Sequence, residues 1–349
     1  MMNFYESKTY LQDLKTAITS TVGLEDLKNK RILVTGATGT IGSFLVDMLL
    51  EYSREGAETA VFAAGRSVER LEQRFGPANS QWLTCVPYDM MEPISWEFPV
   101  DYIIHGAGNA HPAAFNGDPV GTIVENVGGT YGLLCYARDH GVRRVCYLSS
   151  GEVYGQGDLS LAAFREDYSG YLDPLSPRSC YPTSKRAAET LCASFTKQYG
   201  LETVIVRPCH TYGPGITASD NRANVQFLRN ALKGEEIVLK SAGTQMRSYS
   251  YVADCASAIL TCLLKGEPGQ AYNSANPEAR VTIAGLAEII AGSVGRRVVY
   301  ADPDGVDLAN RTPIARQVLD TAKLEALGWK GAFSVETGIR HTIAILEGK

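Results

Sequence analysis

Tyr181 and Lys185 stand four residues apart in the stretch CYPTSKRAAETL, a spacing that on a helix puts both side chains on one face. An ammonium beside a phenol favours its ionised form, so the pair predicts a tyrosine of lowered pKa, able to take a proton from an alcohol near neutral pH. Upstream, Ser149-Ser150-Gly151-Glu152-Val153-Tyr154-Gly155 reads as a polar strand end on the side of the sheet where ligands bind. Earlier still, Gly36-Ala37-Thr38-Gly39-Thr40-Ile41-Gly42 has the glycine spacing of a dinucleotide-binding turn. Gly36 would permit the turn, Gly39 would let a pyrophosphate approach, and Gly42 would bring helix and strand together. Thr38, Thr40 and Ile41 then lie at a helix N-terminus that faces the anion. Together these residues predict hydride transfer between an alcohol carbon and a nicotinamide.

Such groups need strands and helices to hold them. RILVTG, from Arg31, reads as a compact apolar strand, and TGTIGSFLVDMLLEY continues as a helix with Ile41, Leu45, Met48 and Leu49 on its apolar face. Further strands are expected at Ala60–Ala64, Trp82–Val86, Tyr102–His105, Val145–Ser149 and Thr203–Arg207, alternating with helices such as Pro119–Arg138 and Tyr181–Tyr199. That alternation predicts an α/β fold: a Rossmann-type, doubly wound parallel sheet. After Gly213 the texture loosens, which predicts a smaller C-terminal substrate-binding lobe whose chain returns to the sheet around Ala271–Ser274. The expected organisation is an N-terminal helical extension over 1–29, a mainly dinucleotide-binding domain over 30–212, and the lobe mainly over 213–349. In the extension, Phe4, Tyr5, Leu11, Leu14 and Ile18 approach helical spacing, for docking on the body or on a second subunit.

The second strand ends Gly65-Arg66-Ser67, where a carboxylate would grip the ribose of NAD. Arg66 could instead meet the 2′-phosphate of NADP, stack on adenine, or stand in solvent, so NAD with NADP as a possibility is the reading of the cofactor. Asp89, ending the third strand in VPYDMM with Met90 beside it, is a candidate adenine contact.

Composition narrows the partners. The 349 residues carry 33 basic against 38 acidic side chains, a net charge of −5, so no basic field exists to hold nucleic acid. No apolar run has the length of a signal or a membrane span. The eight cysteines lack any C-x-x-C pair and read as reduced thiols of a cytoplasmic protein. The five histidines (His105, His111, His140, His210, His341) show no metal-binding spacing, so no metal site is expected.

With these motifs in order, the chain resembles the extended short-chain dehydrogenase/reductase family, the nucleotide-sugar epimerases, dehydratases and decarboxylases. The resemblance runs from about Arg31 to His341. It includes IIHGAG at Ile103–Gly108, NVGGTYGLL from Asn126, SSGEVYG from Ser149, RPCHTYGPG from Arg207, RSYSYVAD ending at Asp254, and LGW at Leu327–Trp329. It implies cofactor contacts at Gly106, Ala107, Gly108 and Asn126, besides the glycine turn, Tyr181 and Lys185. The stretches Pro174–Leu191 and Asp220–Glu235 look most like UDP-glucuronate decarboxylases. That likeness implies a nucleotide-diphosphate sugar held by Ser150, Gly151, Glu152, His210, Arg222 and Arg247, and catalysis by Tyr181, Lys185, Ser150 and Glu152. Arg247 could hold a hexuronate carboxylate, clamp a pyrophosphate, or form a salt bridge.

Two positions depart from the pattern. Gly151 replaces the Ser of decarboxylases and the Asp of dTDP-glucose-type dehydratases, and His210 stands where the family carries Asn. A 4-epimerase, a 4,6-dehydratase, an NADPH-dependent 4-keto-sugar reductase and a non-catalytic dinucleotide binder remain alternatives. The resemblance also implies a homodimer, paired through the helices on either side of the SSGEVYG strand.

Overall fold

Arg31–Thr35 (β1) leaves only its first residue partly exposed, the burial of a parallel strand covered on both faces. The computed structural model describes residues 3–108, 110, 112–217, 220–302 and 314–349, so His111 lies outside the described residues. β1 pairs in parallel with Ala60–Gly65 (β2) and Tyr102–His105 (β4). Leu83–Pro87 (β3), Arg144–Leu148 (β5), Glu202–Pro208 (β6) and Gln270–Ser274 (β10) complete a seven-stranded sheet ordered β10-β6-β5-β4-β1-β2-β3. Every pairing in it is parallel. The period-2 alternation of a strand feeds two cores: Ile32 and Val34 of β1 enter the larger cluster and Leu33 enters the one on the opposite face.

The chain builds outward from β1 to β2 and β3, then crosses back to β4 on the other side of β1. Between β1 and β4 the direction of winding reverses, and ligands of such sheets bind beyond the strand ends at that crevice. Beyond it lies the smaller lobe. His210–Tyr212 (β7), Met246–Tyr251 (β9), Arg280–Thr282 (β11) and Arg316–Gln317 (β13) form its main sheet, while Ile237–Leu239 (β8) pairs with Val298–Tyr300 (β12).

The N-terminal segment packs on its own body. Ser7 caps the helix Lys8–Ser20, which buries Tyr10, Asp13, Leu14 and Ala17 at helical spacing. Asp13 is fully buried and accepts hydrogen bonds from Tyr251 at 2.6 Å and from His341 at 2.8 Å.

One expected element is broken. The single helix predicted over Pro119–Arg138 is instead Pro119–Val124, a π-helical turn at Glu125–Gly129, and Thr130–Asp139. A π turn inserts one residue into the helical count and redirects the side chains on it, and Asn126 sits in that turn. The apolar spacing carries no mark of it.

Candidate active site

The glycine turn and the loop after β4 meet at the crevice. Gly36 has φ +69°, and a Cβ there would stand 2.5 Å from the Gly106 carbonyl oxygen, so neither conformation nor space admits a side chain. A Cβ at Gly42 would lie 2.3 Å from the Gly36 oxygen, which fixes the close approach of helix and strand. Gly39 differs, since the protein offers only the Gly36 oxygen, at 3.3 Å. Gly39 also begins the helix Thr40–Tyr52 without any side-chain cap. The first-turn N–H groups of Thr40, Ile41 and Gly42 therefore face the crevice as a ready anion site, and the residues present fit a dinucleotide pyrophosphate. Thr38 is exposed on the turn, while the Thr40 hydroxyl donates to the Gly215 carbonyl at 2.8 Å, tying the lobe to this helix.

At the outer end, Arg66 follows β2 and is exposed. Asp89 does not end the third strand as expected. That strand stops at Pro87, and the Asp89 carboxylate accepts from the Met91 N–H at 3.0 Å in the loop beyond. Met90 covers Gly129 in the π turn.

Behind Gly106–Gly108 a buried hydrogen-bond chain connects the cofactor loop to the catalytic helix. The Thr35 hydroxyl oxygen accepts from the N–H groups of Gly106 and Ala107, each at 3.2 Å, so its own proton faces His105 Nδ1 at 2.8 Å. That assigns the His105 proton to Nε2, which meets the Thr130 hydroxyl at 3.3 Å, and Thr130 donates in turn to the Asn126 carbonyl at 2.6 Å. Burial, aided by the charge of Lys185, pushes His105 down to about 3, which keeps the ring neutral. Asn126 then donates to Ser184 at 3.1 Å, one turn from Tyr181. His105 is a site residue that spacing alone did not reveal, because its hydrogen-bond partners, Thr35 and Thr130, come from two elements distant in sequence.

The helix Cys180–Tyr199 carries Tyr181 and Lys185, both buried. Lys185 Nζ donates to the Leu148 carbonyl at 2.9 Å and lies 5.9 Å from the Tyr181 ring centre. Burial brings the lysine down to about 8. The phenol does not follow the expectation of a lowered pKa. It is pushed up to about 12, first by burial and then by the Glu152 carboxylate, against a lowering hydrogen bond with Ser150 and the charges of Arg222 and Arg178. Desolvation outweighs the neighbouring cations here. SSGEVYG, expected as a polar strand end, leaves β5 at Leu148 and forms a 3₁₀ turn over Gly151–Tyr154, capped by Ser150. This turn swings Glu152 toward Tyr181. Two further residues join that the motifs did not single out. Arg178 bridges both Glu152 oxygens, at 3.1 and 3.0 Å, and its guanidinium lies 4.5 Å over Phe115, whose ring stacks on Tyr181 at 5.1 Å and 14°. Glu152 and Arg178 line a cavity of about 220 Å³ with Gln156, Asp173, Pro182 and Ile314.

From the lobe side come Arg247 of β9, His210 of β7, and Arg222 just before the helix Ala223–Leu232. Arg247 is 2% exposed. Its guanidinium donates to the carbonyls of Met246, at 3.0 Å, and Ile314, and among the described residues no carboxylate forms an ion pair with it. Burial lowers its pKa, while the charge of Glu152 acts to raise it. Of the three sequence readings, the salt bridge is therefore excluded among the described residues. Arg222 is held by Asp220 at 2.6 Å. Burial, with Arg247 and then Arg222 adding to it, pushes His210 down to about 3, so this imidazole is neutral, and its Nδ1 is buried without a hydrogen-bond partner among the described residues. Gly151 faces Gln317 and Leu319, and a methyl there would make ordinary contacts.

A parallel doubly wound sheet with a glycine turn at its switch point, and a Tyr-x-x-x-Lys helix whose phenol faces a serine, defines a dinucleotide-dependent enzyme of the extended dehydrogenase/reductase type. Residues 32–275 match the NAD dependent epimerase/dehydratase family, and the chain belongs to it. Curated relatives include UDP-glucuronic acid decarboxylase 1 of Xenopus tropicalis, 33% identical over 322 residues that span 92% of this chain and 73% of that protein. UDP-glucuronic acid decarboxylase 3 of Arabidopsis thaliana is 35% identical over 89% of this chain and 87% of that protein. Among solved structures, a dTDP-glucose 4,6-dehydratase from Streptomyces venezuelae with NAD bound superposes with TM-score 0.77 at 27% identity, covering 91% of this chain and 97% of that one. Among the described residues no helix is long and apolar enough to cross a membrane.

Proposed function

We propose that this chain oxidises C4 of UDP-glucuronate, releases its C6 carboxylate as carbon dioxide, and reduces C4 again. The observation that carries the acid–base part is the buried Tyr181 phenol, stacked on Phe115 and one helical turn from the buried Lys185. The likeness to decarboxylases over nine-tenths of the chain supports the substrate. NAD, bound over the glycine turn, would supply the hydride acceptor and later donor. Tyr181 takes the C4 hydroxyl proton in its ionised form, which burial opposes and the charges of Arg222 and Arg178 favour, while Ser150 bonds the same oxygen. The 4-ketone stands β to the carboxylate, so the C5–C6 bond breaks with its electron pair passing into the ketone as an enolate. Glu152 lies where it could manage the proton that C5 then gains. Return of hydride to C4 and of the Tyr181 proton to the C4 oxygen closes the cycle, the balance being UDP-glucuronate plus one proton to carbon dioxide plus a UDP-pentose. Arg247, a buried cation among main-chain carbonyls, supplies the countercharge an anionic sugar needs.

Mass spectrometry of UDP-glucuronate incubated with protein and NAD tests this reading. A product lighter by carbon dioxide is expected. An isomer of unchanged mass, or no product, overturns it. Tyr181→Phe is expected to lose roughly 10²–10⁴-fold in turnover while NAD binding, read by calorimetry, persists.

The same reading includes a homodimer. Val120, Ile123, Val124 and Tyr131, on the helices before β5, and Tyr199, on the helix after it, are exposed apolar residues on packed neighbouring elements. Sedimentation at micromolar concentration is expected to give twice the chain mass, and a monomer there would refute the pairing.

A further inference from the structure

We propose that Arg178 is a positioning residue of the reaction: it fixes the Glu152 carboxylate at the mouth of the cavity and, through Phe115, clamps the ring plane of Tyr181. This rests on the reading of Tyr181 and Glu152 given above and names the group that organises both. Arg178 is three residues before Tyr181, in the short 3₁₀ turn Pro177–Ser179 that leads into the catalytic helix. Its Nη2 meets both oxygens of Glu152, at 3.1 and 3.0 Å. The Cζ of the same guanidinium lies over the Phe115 ring, 4.5 Å from its centre. Phe115 is fully buried and forms a small apolar cluster with Cys180 and Tyr181. Phe115 and Tyr181 are nearly parallel, at 14° and 5.1 Å. One planar cation thus serves two partners, a carboxylate and an aromatic ring, a combination that a lysine ammonium cannot reproduce.

The pair is placed to be used rather than merely to stabilise. Side chains of Arg178 and Glu152 are 24% and 23% exposed, a regime in which an ion pair contributes little to folding. Both line the cavity, together with Ser179 and Pro182, which lie within two residues of Tyr181 in the chain. The two charges act on the phenol in opposite directions, Glu152 opposing its ionisation and Arg178 favouring it. Loss of the guanidinium would leave Glu152 free to swing, its charge unbalanced beside the phenol. Tyr181 would then ionise less readily, so the limb of the rate profile that rises with pH would move to higher pH.

The experiment compares Arg178→Gln, Arg178→Lys and Phe115→Leu with the natural chain. The readouts are the pH dependence of carbon dioxide release from UDP-glucuronate and the ring-flip rate of Tyr181, the latter by NMR of 13C-labelled tyrosine assigned with Tyr181→Phe. Arg178→Gln is expected to lower kcat roughly tenfold to a hundredfold, with KM within about threefold, the rising limb displaced upward, and a faster ring flip. Arg178→Lys should restore the limb in part but leave the flip fast. Phe115→Leu should quicken the flip without moving the limb. An Arg178→Gln protein that melts like the natural chain and keeps its kcat, its limb and its slow flip overturns the proposal. If the natural chain releases no carbon dioxide, the decarboxylase reading fails by itself. The flip rate then decides on Arg178: an accelerated flip in Arg178→Gln upholds the clamp, and an unchanged one refutes it.

Discussion

Arg207 and Arg247 are both largely buried near the ends of lobe-facing strands, and they have opposite surroundings. Arg207 donates to both oxygens of Glu189, at 2.9 and 2.7 Å, to the Tyr154 hydroxyl at 2.9 Å and to the Glu166 carbonyl at 2.8 Å. Glu189 also accepts from Ser149, and Tyr154 donates to Asn273, which binds β5, β6 and β10 at the level of the active-site turn. Glu189 raises the Arg207 pKa, against its burial. Among the described residues Arg247 donates to main-chain carbonyls alone, and burial lowers its pKa. A buried guanidinium whose fork is saturated by its own chain is scaffold, whereas one without an ion-pair partner among the described residues fits the anion-binding role proposed above for Arg247. Both arginines belong to sequence motifs, and only their partners separate the two roles.

Substitution should separate them cleanly. Arg207→Ala leaves Glu189 buried and uncompensated and is expected to cost about 3–5 kcal/mol in urea unfolding. A loss under about 1 kcal/mol would place Arg207 with the ligand-binding group. Arg247→Met replaces an unpaired buried cation with an apolar side chain of similar length, so stability should hold or rise. Turnover of UDP-glucuronate should fall roughly 10²–10³-fold. A variant that is destabilised and still active would reverse the assignment.

Much of this was legible beforehand because fully buried parallel strands show in sequence as short apolar runs. β1, β2, β4, β5 and β6 lie within a residue of their expected bounds. The glycine turn was legible for a different reason, since Gly36 and Gly42 answer to steric limits that no other residue meets. Three things were not legible. The π turn that aims Asn126 changes backbone bonding without changing apolar spacing. Phe115 and His105 join the site from 66 and 76 residues before Tyr181, where no local pattern points to them. The upward shift of Tyr181 depends on how deeply the phenol is buried, which the presence of Lys185 four residues on cannot report.

Asp254 extends the contrast with the sign of charge reversed, as a buried carboxylate that no cation neutralises among the described residues. It accepts from the N–H groups of Ala332 and Phe333, at 2.8 and 3.2 Å, and from Asn276 at 3.0 Å. Burial nevertheless pushes it up to about 6, the hydrogen bonds offsetting only part of that cost. In the unfolded chain it titrates in the ordinary carboxylate range, near 3.9. Between those values the folded state holds a proton that the unfolded state has released. Its contribution to stability is therefore complete below the ordinary range and is lost as pH rises through about 6. The loss from pH 5 to pH 8 is about 1.4 kcal/mol. Asp254→Asn removes the titration. It also turns an amide donor toward one of three donors, so its stability should be lower at both pH values while this part of the pH dependence disappears. Urea midpoints at pH 5 and pH 8 decide the matter: natural and substituted chains should differ more at pH 5 than at pH 8. Equal differences at the two values would mean that Asp254 stays ionised throughout, its three donors outweighing burial as the fork of Glu189 outweighs it for Arg207.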